Sequence, residues 1–160
     1  SKAAAENIAF AFHRGNNVPL TIARPFNHTG VGQTADFVVP KIVNAFRMKS
    51  DKIVLGNIDT VRDFLDVRDV VKSYVQLVEN FPNGEIFNIA SGRGVTIRDV
   101  ISFLVDISGY SIEIIQDKRF MRENEIDAPV GNSSKIKEVL NWHPEYYLED
   151  TLRWMLDYYN

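Results

Sequence analysis

The sequence contains no cysteine among its 160 residues, which excludes disulfide bridges and thiolate metal sites. No apolar run approaches the roughly 20 residues of a membrane-spanning helix, and we find no basic-then-apolar order typical of a signal peptide. The net charge is only −3, so bulk electrostatics do not favour nucleic acid. The three histidines lack the spacing of metal ligands. We therefore expect a cytoplasmic protein with no metal, membrane or nucleic-acid partner.

The remaining composition is typical of a globular protein, at 45% hydrophobic and 24% charged residues. Helical and strand patterns alternate along the chain, and the first strand is apolar on both faces, which predicts an α/β fold containing a buried parallel sheet. Helices are predicted over 2–14 (ending at Gly15), 37–47, 69–79 (Asp69 as N-cap), from a Thr96–Asp99 capping box to Gly109, from Ser133 or Ser134 to Leu140, and over 148–158. Strands are predicted over 18–24, 52–56, 62–67, 85–90 and 111–115. The predicted buried face of the third helix comprises Val70, Val71, Tyr74, Val75 and Val78.

The loop "RPFNHTGVGQ" follows the first predicted strand and is the first candidate site. Ligands of open α/β sheets bind beyond the carboxyl ends of strands. The side-chain amide of Asn27 can donate there to a phosphate or carbonyl oxygen. The alternative is a glycine turn in which Asn27 bonds to local backbone.

Three cations form the second candidate group: Lys41, Arg62 and Arg122. Arginine offers parallel donors to phosphate oxygens, and Lys41 lies in the first turn of its predicted helix, where free N–H groups also favour an anion. The alternative for Arg62 is a local pair with Asp63 or Asp66 on a solvated face.

The stretch "RENEI" at 122–126 is the third group. Glu125 could accept hydrogen bonds from a ribose diol while Arg122 binds a phosphate. The alternative is an ordinary surface charge cluster.

Seven stretches occurring in order resemble the extended short-chain dehydrogenase/reductase family, in its NAD-dependent epimerase/dehydratase branch. The resemblance covers nearly the whole chain. The stretches are "SK-AAE", "ARPFNHTGVGQ", "FVVPKI", "LGNIDTVRDFLDVRDVV", "GEIFNIASGRGVTI", "RENEI…GNSSK" and "LNWHPEYYLEDTL".

Within that branch the "NHTG-GQ" loop and "FVVP" are most similar to GDP-4-keto-6-deoxy-mannose reductases. The "FV-x-x-KI" helix start is similar to GDP-mannose 4,6-dehydratases. Glu123 stands where reductases usually carry proline, and Asn132 where aspartate is usual. The reduction, dehydration or epimerisation of a particular nucleotide sugar therefore stays open.

The resemblance implies a role for each matching residue. Lys2 matches the lysine of the Y-x-x-x-K catalytic motif, which bonds the nicotinamide ribose and lowers the pKa of the catalytic tyrosine. Pro25 and Phe26 match the lining of the nicotinamide pocket of NAD or NADP. The residues that match the nucleotide-diphosphate-sugar site are Asn27, Val38, Val39, Lys41, Arg62, Arg122 and Glu125.

The resemblance also predicts what this chain lacks. The motif tyrosine would lie four residues before Lys2, and no glycine-rich dinucleotide loop occurs in the sequence. We therefore expect the carboxyl-terminal half of an enzyme, inactive alone, whose parent is a homodimer. Residues 1–35 and about 60–92 would belong to a Rossmann core, and about 36–59 and 93–160 mostly to a small mixed α/β substrate-binding lobe. The alternatives are a non-catalytic sugar-nucleotide-binding module and a plain interaction domain.

Overall fold

Helices and short, mostly parallel strands alternate in the computed structural model, which describes residues 1–120 and 130–158. The helices are α1 (Lys2–Asn16), α2 (Val38–Arg47), α3 (Val67–Asn80), α4 (Ile97–Ser108), α5 (Ser134–Leu140) and α6 (Leu148–Asp157), with a 3₁₀ turn at Lys118–Phe120. The strands are β1 (Thr21–Pro25), β2 (Asn27–Thr29), β3 (Lys52–Leu55), β4 (Val61–Arg62), β5 (Phe64–Asp66), β6 (Glu85–Ile89), β7 (Val95–Thr96) and β8 (Glu113–Gln116). Over these described ranges, every helix is too short or too polar to traverse a lipid bilayer.

The strands pair two by two. Parallel pairs form between β1 and β6, β2 and β5, and β3 and β8, whereas β4 and β7 are antiparallel. Alternate side chains of β1 point to opposite faces. Arg24 pairs with Glu6 of α1, while Ala23 packs against the cluster beneath α3 and α5. Helices therefore lie against both faces of the first pair, and its parallel register confirms the parallel strand predicted here. The predicted burial is met only in part, because β1 is half-buried and Arg24 is exposed.

Two hydrophobic clusters divide the core. The larger cluster is formed by Val39, Ile42, Val43, Phe46, Ile53, Leu55, Ile58, Ile97, Val100, Leu104, Leu148, Leu152, Met155 and Leu156. The smaller cluster is formed by Leu65, Val70, Leu77, Phe87, Ile89, Ile136 and Trp142. The chain passes between them near residues 60 and 92, close to the predicted boundaries. The assignment of the two regions to a Rossmann core and a substrate lobe stays a proposal. Ile136 and Trp142 fall within the range predicted for the substrate lobe, but they pack in the smaller cluster.

The single strand predicted over 62–67 is wrong. The chain forms β4 up to Arg62 and β5 from Phe64, and the two strands pair with different partners. Asp63 lies between them with its carboxylate fully buried. A buried, hydrogen-bonded side chain at this point ends one ladder and begins the next.

The start and the buried face of α3 also differ from the prediction. Its N-cap is Asp66, whose carboxylate accepts from the Arg68 N–H at 2.8 Å, and Asp69 lies inside the helix. Asp69 points inward because its carboxylate accepts the backbone N–H groups of Glu145 and Tyr146. This rotates the buried face, which is Asp69, Val70, Ser73 and Leu77. The predicted inward residues Val71, Tyr74, Val75 and Val78 are exposed.

The other helix ends test the capping signals. The Thr96–Asp99 capping box is present, and α4 is followed by Gly109 at φ 65°, as predicted. The stop predicted at Gly15 is wrong, because α1 continues to Asn16 and Asn17 adopts the left-handed conformation. Position 17 can do so because asparagine tolerates a positive φ better than most residues.

Gly15 and Gly131 differ in the space available for the methyl group of an alanine substitution. At Gly15, inside α1, a Cβ would have nothing within 4 Å, and alanine should stabilise the chain by about 0.5–1 kcal/mol. At buried Gly131, a Cβ would overlap the Ala90 side chain and lie 2.9 Å from the Phe26 ring, so alanine should cost about 2 kcal/mol. Urea unfolding of both variants measures the difference, and equal effects at the two positions would contradict the packing described.

Asp66 ties α3 to α6. Its carboxylate accepts from the Arg68 guanidinium at 2.7 and 2.9 Å and from the Thr151 hydroxyl at 2.7 Å. The Arg68 guanidinium in turn lies 3.7 Å from the Tyr146 ring centroid and 4.1 Å from that of Trp154. Burial acts to raise the pKa of Asp66, but the hydrogen bonds from Arg68 and Thr151 outweigh burial and hold it below its ordinary value.

This lowered pKa predicts a loss of stability in acid. A carboxyl whose folded pKa lies below its unfolded value, about 3.9, contributes fully above that value and loses its contribution as the pH falls through the folded pKa. Asp66→Asn should cost about 3 kcal/mol at pH 7 and flatten the acid limb of the stability profile. Urea unfolding from pH 7 to pH 3 tests this. Exposed Asp106→Asn is the control, and an unchanged acid limb in Asp66→Asn would refute the assignment.

Candidate functional site

A cleft of about 540 Å³ opens between the start of α2, the end of β3, β4 and the 3₁₀ turn. Several predicted site residues meet in this cleft, hereafter the cation cleft. It is lined by Asn27, Asp36, Phe37, Val38, Lys41, Leu55, Gly56, Asn57, Thr60, Arg62, Phe64, Ile97 and Phe120.

Lys41 and Arg62 supply the positive charge of the cation cleft. The Lys41 ammonium donates to the Val54 carbonyl at 2.7 Å and lies 5.0 Å from the Phe120 ring centroid. It has no carboxylate partner in the part of the chain that the structure describes. One backbone bond therefore holds a half-buried cation in place and leaves its other two N–H groups for a ligand.

Arg62 does not form the local ion pair considered as its alternative. Its guanidinium donates to the Val61 carbonyl at 2.8 Å. The Asp63 carboxylate instead accepts from Ser91, Gly92 and Gly131, and that of Asp66 accepts from Arg68 and Thr151. Arg62 lies on the cleft side of β4, where it faces the same space as Lys41.

The first turn of α2 adds backbone donors. Its N-cap, Phe37, makes no side-chain capping bond, and Pro40 has no N–H group. The N–H of Lys41 already bonds to the Phe37 carbonyl at 3.0 Å. The N–H groups of Val38 and Val39 thus begin the helix without a side-chain cap, beside two cations, which is an arrangement that favours an anion. The Val39 side chain itself is buried in the larger cluster.

Side-chain bonds hold the loop that contains Asn27. The Thr29 hydroxyl donates to Gln33 Oε1 at 2.7 Å, and Gln33 Nε2 donates to the His28 carbonyl at 3.3 Å. Gly30 is required here because a Cβ would lie 2.6 Å from Val67 Cγ1. Asn27 Nδ2 donates to the Asp63 carbonyl at 3.4 Å, so its amide is oriented by backbone at the cleft wall.

The structure does not bring all the predicted residues together. Lys2 is exposed at the first position of α1, while Pro25 and Phe26 are half-buried at the carboxyl end of β1, and none of the three lines the cation cleft. Arg122 and Glu125 lie outside the described residues. Asn132, which stands where the family usually has aspartate, accepts the Ser134 N–H at 2.9 Å and so supports the start of α5.

Other residues of the cation cleft were missed by the sequence analysis. Asn57 and Thr60 lie in the turn between β3 and β4, where the dipeptide Gly-Asn after a strand was an available signal. Phe120 gave no signal, because one aromatic residue beyond a strand has no distinguishing pattern. The buried carboxylate of Asp63 was considered only as a partner for Arg62.

A second cleft of about 510 Å³ lies between the loop after β6 and the segment before α6. It is lined in part by Arg93, Lys137, His143, Tyr146 and Tyr147. The Arg93 guanidinium already lies over the Tyr147 ring, 4.3 Å from its centroid. Of the predicted ligand-binding residues that the structure describes, none lines this second cleft.

The chain is similar to known proteins over nearly its whole length. The chain is 35% identical over 161 residues to a GDP-6-deoxy-D-mannose reductase of Pseudomonas aeruginosa, which covers 98% of this chain and 53% of that protein. A structure of Pseudomonas aeruginosa RMD complexed with NADPH superposes with a TM-score of 0.88 at 34% identity, over 97% of this chain and 53% of that one. The structure of a Thermotoga maritima UDP-glucose 4-epimerase with UDP-glucose superposes with a TM-score of 0.90 at 27% identity. The match covers 99% of this chain and 51% of that one.

These superpositions confirm the predicted α/β fold of the Rossmann-type epimerase/dehydratase enzymes. The chain spans about half the length of these relatives. The family model described as GDP-mannose 4,6 dehydratase matches residues 1–155. Since that match covers nearly the whole chain, the protein belongs to the GDP-mannose 4,6 dehydratase family of nucleotide-sugar enzymes.

Proposed function

We propose that this chain is the nucleotide-sugar-binding portion of an NAD(P)-dependent oxidoreductase that acts on a GDP-linked deoxy sugar. The observation that carries the proposal is the convergence of Lys41, Arg62 and the uncapped start of α2 on one cleft. The bound group would be the diphosphate of the nucleotide sugar, with Asn27 donating to one of its oxygens.

The charge and size of the cation cleft suit this ligand. Two cationic side chains together with helix N–H groups outweigh the single Asp36 carboxylate in the lining, and so favour the roughly two negative charges of a sugar diphosphate. The volume of about 540 Å³ lies within the range of small-molecule sites. Phe120 and Asn57 line the same cleft and are available to the base or sugar. In this proposal Arg122 and Glu125 keep their sequence-based roles on the nucleotide.

Reduction of GDP-4-keto-6-deoxy-mannose is the activity that we favour for the parent enzyme. The reductase of Pseudomonas aeruginosa is 35% identical, whereas the dehydratases of Arabidopsis thaliana are 30% identical over 82% of this chain. Dehydration of GDP-mannose is the second candidate, because the matching family model carries that description. The alternative from a different functional class is a sugar-nucleotide-binding module without catalytic activity.

The residues present fit only one end of a nicotinamide cofactor. Phe26, half-buried next to Gly131, and Pro25 form a firm apolar wall at the carboxyl end of a parallel strand, where such sheets bind ligands. Lys2 is exposed on the first turn of α1 and is free to bond a ribose. A bound nicotinamide would supply the hydride, and in our proposal Pro25, Phe26 and Lys2 orient it.

We also propose that the parent protein is a homodimer that pairs through α1. This helix buries none of its residues, and both Ile8 and Phe12 are exposed. The run of alanines at 3–5 would allow close approach of a second helix.

Nucleotide binding by the 160-residue chain tests the proposed site. We expect GDP to bind, and Arg62→Gln and Lys41→Met each to weaken binding by about tenfold, since each removes a charge-assisted hydrogen bond. Calorimetric titration measures the dissociation constants. Lys137→Met, in the second cleft, is the matched control and should bind as the unaltered chain does. Unchanged affinity in both Arg62→Gln and Lys41→Met would refute the site. Tighter binding of UDP than of GDP would refute the assigned base.

A turnover assay tests the predicted lack of activity. No glycine-rich dinucleotide loop occurs among the 160 residues, so this chain by itself should not oxidise NADPH with GDP-4-keto-6-deoxy-mannose. The rate at which NADPH absorbance decreases should equal that of a control without protein. Turnover above that control would contradict the prediction, and its loss in Lys2→Met would show that the activity depends on Lys2.

A further inference from the structure

Asp63 carries a buried carboxylate with an unusually complete set of donors. It is 0% exposed, and its Oδ1 accepts from the Ser91 N–H at 2.9 Å and the Ser91 hydroxyl at 2.6 Å. Its Oδ2 accepts from the N–H groups of Gly92 and Gly131, each at 3.0 Å. Within the described residues no cationic side chain bonds to it. Three backbone N–H groups and one hydroxyl therefore stabilise the buried charge.

The position of Asp63 links these bonds to the cation cleft. It directly follows Arg62, whose side chain lies on the cleft side of β4. The Asp63 carbonyl accepts the side-chain amide of Asn27 at 3.4 Å. Its side chain is held separately, by the loop after β6 and by Gly131. The backbone that bears Arg62 and orients Asn27 is thus held on both sides.

We propose that Asp63 is a positioning residue for the anion site, and that it fixes Arg62 and the Asn27 amide for the phosphates. This inference rests on the proposed function, because it assumes that the cation cleft binds a nucleotide diphosphate. Asp63 itself does not contact the ligand. Its carboxylate joins three separate chain segments, those at residues 63, 91–92 and 131. The Arg62 and Asn27 donors are therefore oriented before the ligand arrives.

The chemistry requires a carboxylate rather than an amide at this position. All four groups that point at Asp63 are donors, and an ionised carboxylate has only acceptors. In Asp63→Asn, the new NH₂ group would face donors whichever way the amide is turned. At least one contact to Ser91, Gly92 or Gly131 would become repulsive, and the backbone at Arg62 would shift away from it.

A matched pair of variants separates positioning from stability. Asp69 is also 0% exposed and also accepts two backbone N–H groups, but it lies away from the cation cleft. Asp63→Asn and Asp69→Asn should both lower the free energy of unfolding. Only Asp63→Asn should weaken GDP binding, by about tenfold, because the donors that it orients would then have to be ordered when the ligand binds. Titration of each folded variant with GDP, with urea unfolding in parallel, measures both effects.

Two further readouts isolate the positioning role. The side-chain amide signals of Asn27 in a ¹⁵N spectrum should shift in Asp63→Asn without nucleotide, and should not shift in Asp69→Asn. In Arg62→Gln, adding Asp63→Asn should weaken GDP binding less than it does in the unaltered chain, since the two act through one contact. Ser91→Ala removes only the hydroxyl bond and should give a smaller loss of the same kind. It replaces Asp63→Asn where that variant does not fold.

The outcomes distinguish this inference from the proposed function. Failure of the unaltered chain to bind GDP would overturn the proposed function and the role of Asp63 in ligand binding. Binding by the unaltered chain, with equal losses in the Asp63 and Asp69 variants, would overturn the positioning role alone. Normal binding by Asp63→Asn, or an unshifted Asn27 amide, would also overturn it.

Discussion

The buried carboxylate of Asp63 holds the chain at the point where it crosses between the two hydrophobic clusters. Residue 62 belongs to a short antiparallel pair beside the larger cluster. Residue 64 begins a parallel pair in which Phe64 packs against the larger cluster and Leu65 lies in the smaller one. A charge buried there is tolerated only because four donors converge on it. The same four bonds join the loop after β6 and the segment at Gly131 to the residue that directly follows Arg62, a residue of the cation cleft.

The cation cleft follows from this arrangement of elements. Parallel strands end near it, the uncapped first turn of α2 points its N–H groups towards it, and Lys41 and Arg62 approach from a helix and a strand. Each contribution would be weak in isolation, because one exposed cation binds phosphate poorly in water. In our proposal they form one site in which several donors would act on a single anion, and their orientation would not have to be organised on binding. Asp66 and Asp69 also join chain segments, but away from the cation cleft. Asp66 bonds α3 to α6, and Asp69 bonds α3 to the segment that precedes α6.

Much of the fold and part of the site could be predicted from local sequence signals. The capping box at Thr96 and Asp99, the glycine at 109 and the apolar strand before Asn27 each act through their immediate neighbours, and all three predictions are confirmed. The errors arise where distant contacts decide the outcome. The strand over 62–67 was broken by donors from residues 91, 92 and 131, and the inward face of α3 was set by backbone groups at 145 and 146. Asn27, Val38, Lys41 and Arg62 were predicted from the family pattern and lie in one cleft, whereas Phe120 reaches it only through tertiary packing.

The central claim is that one cleft, positioned by Asp63, binds the diphosphate of a nucleotide sugar. The most direct measurement is a crystal structure of the chain with GDP bound. We expect the phosphates to lie between the Lys41 ammonium, the Arg62 guanidinium and the N–H groups of Val38 and Val39, with the Asp63 bonds intact. Phosphates bound instead beside Arg93 and Lys137 in the second cleft would contradict it.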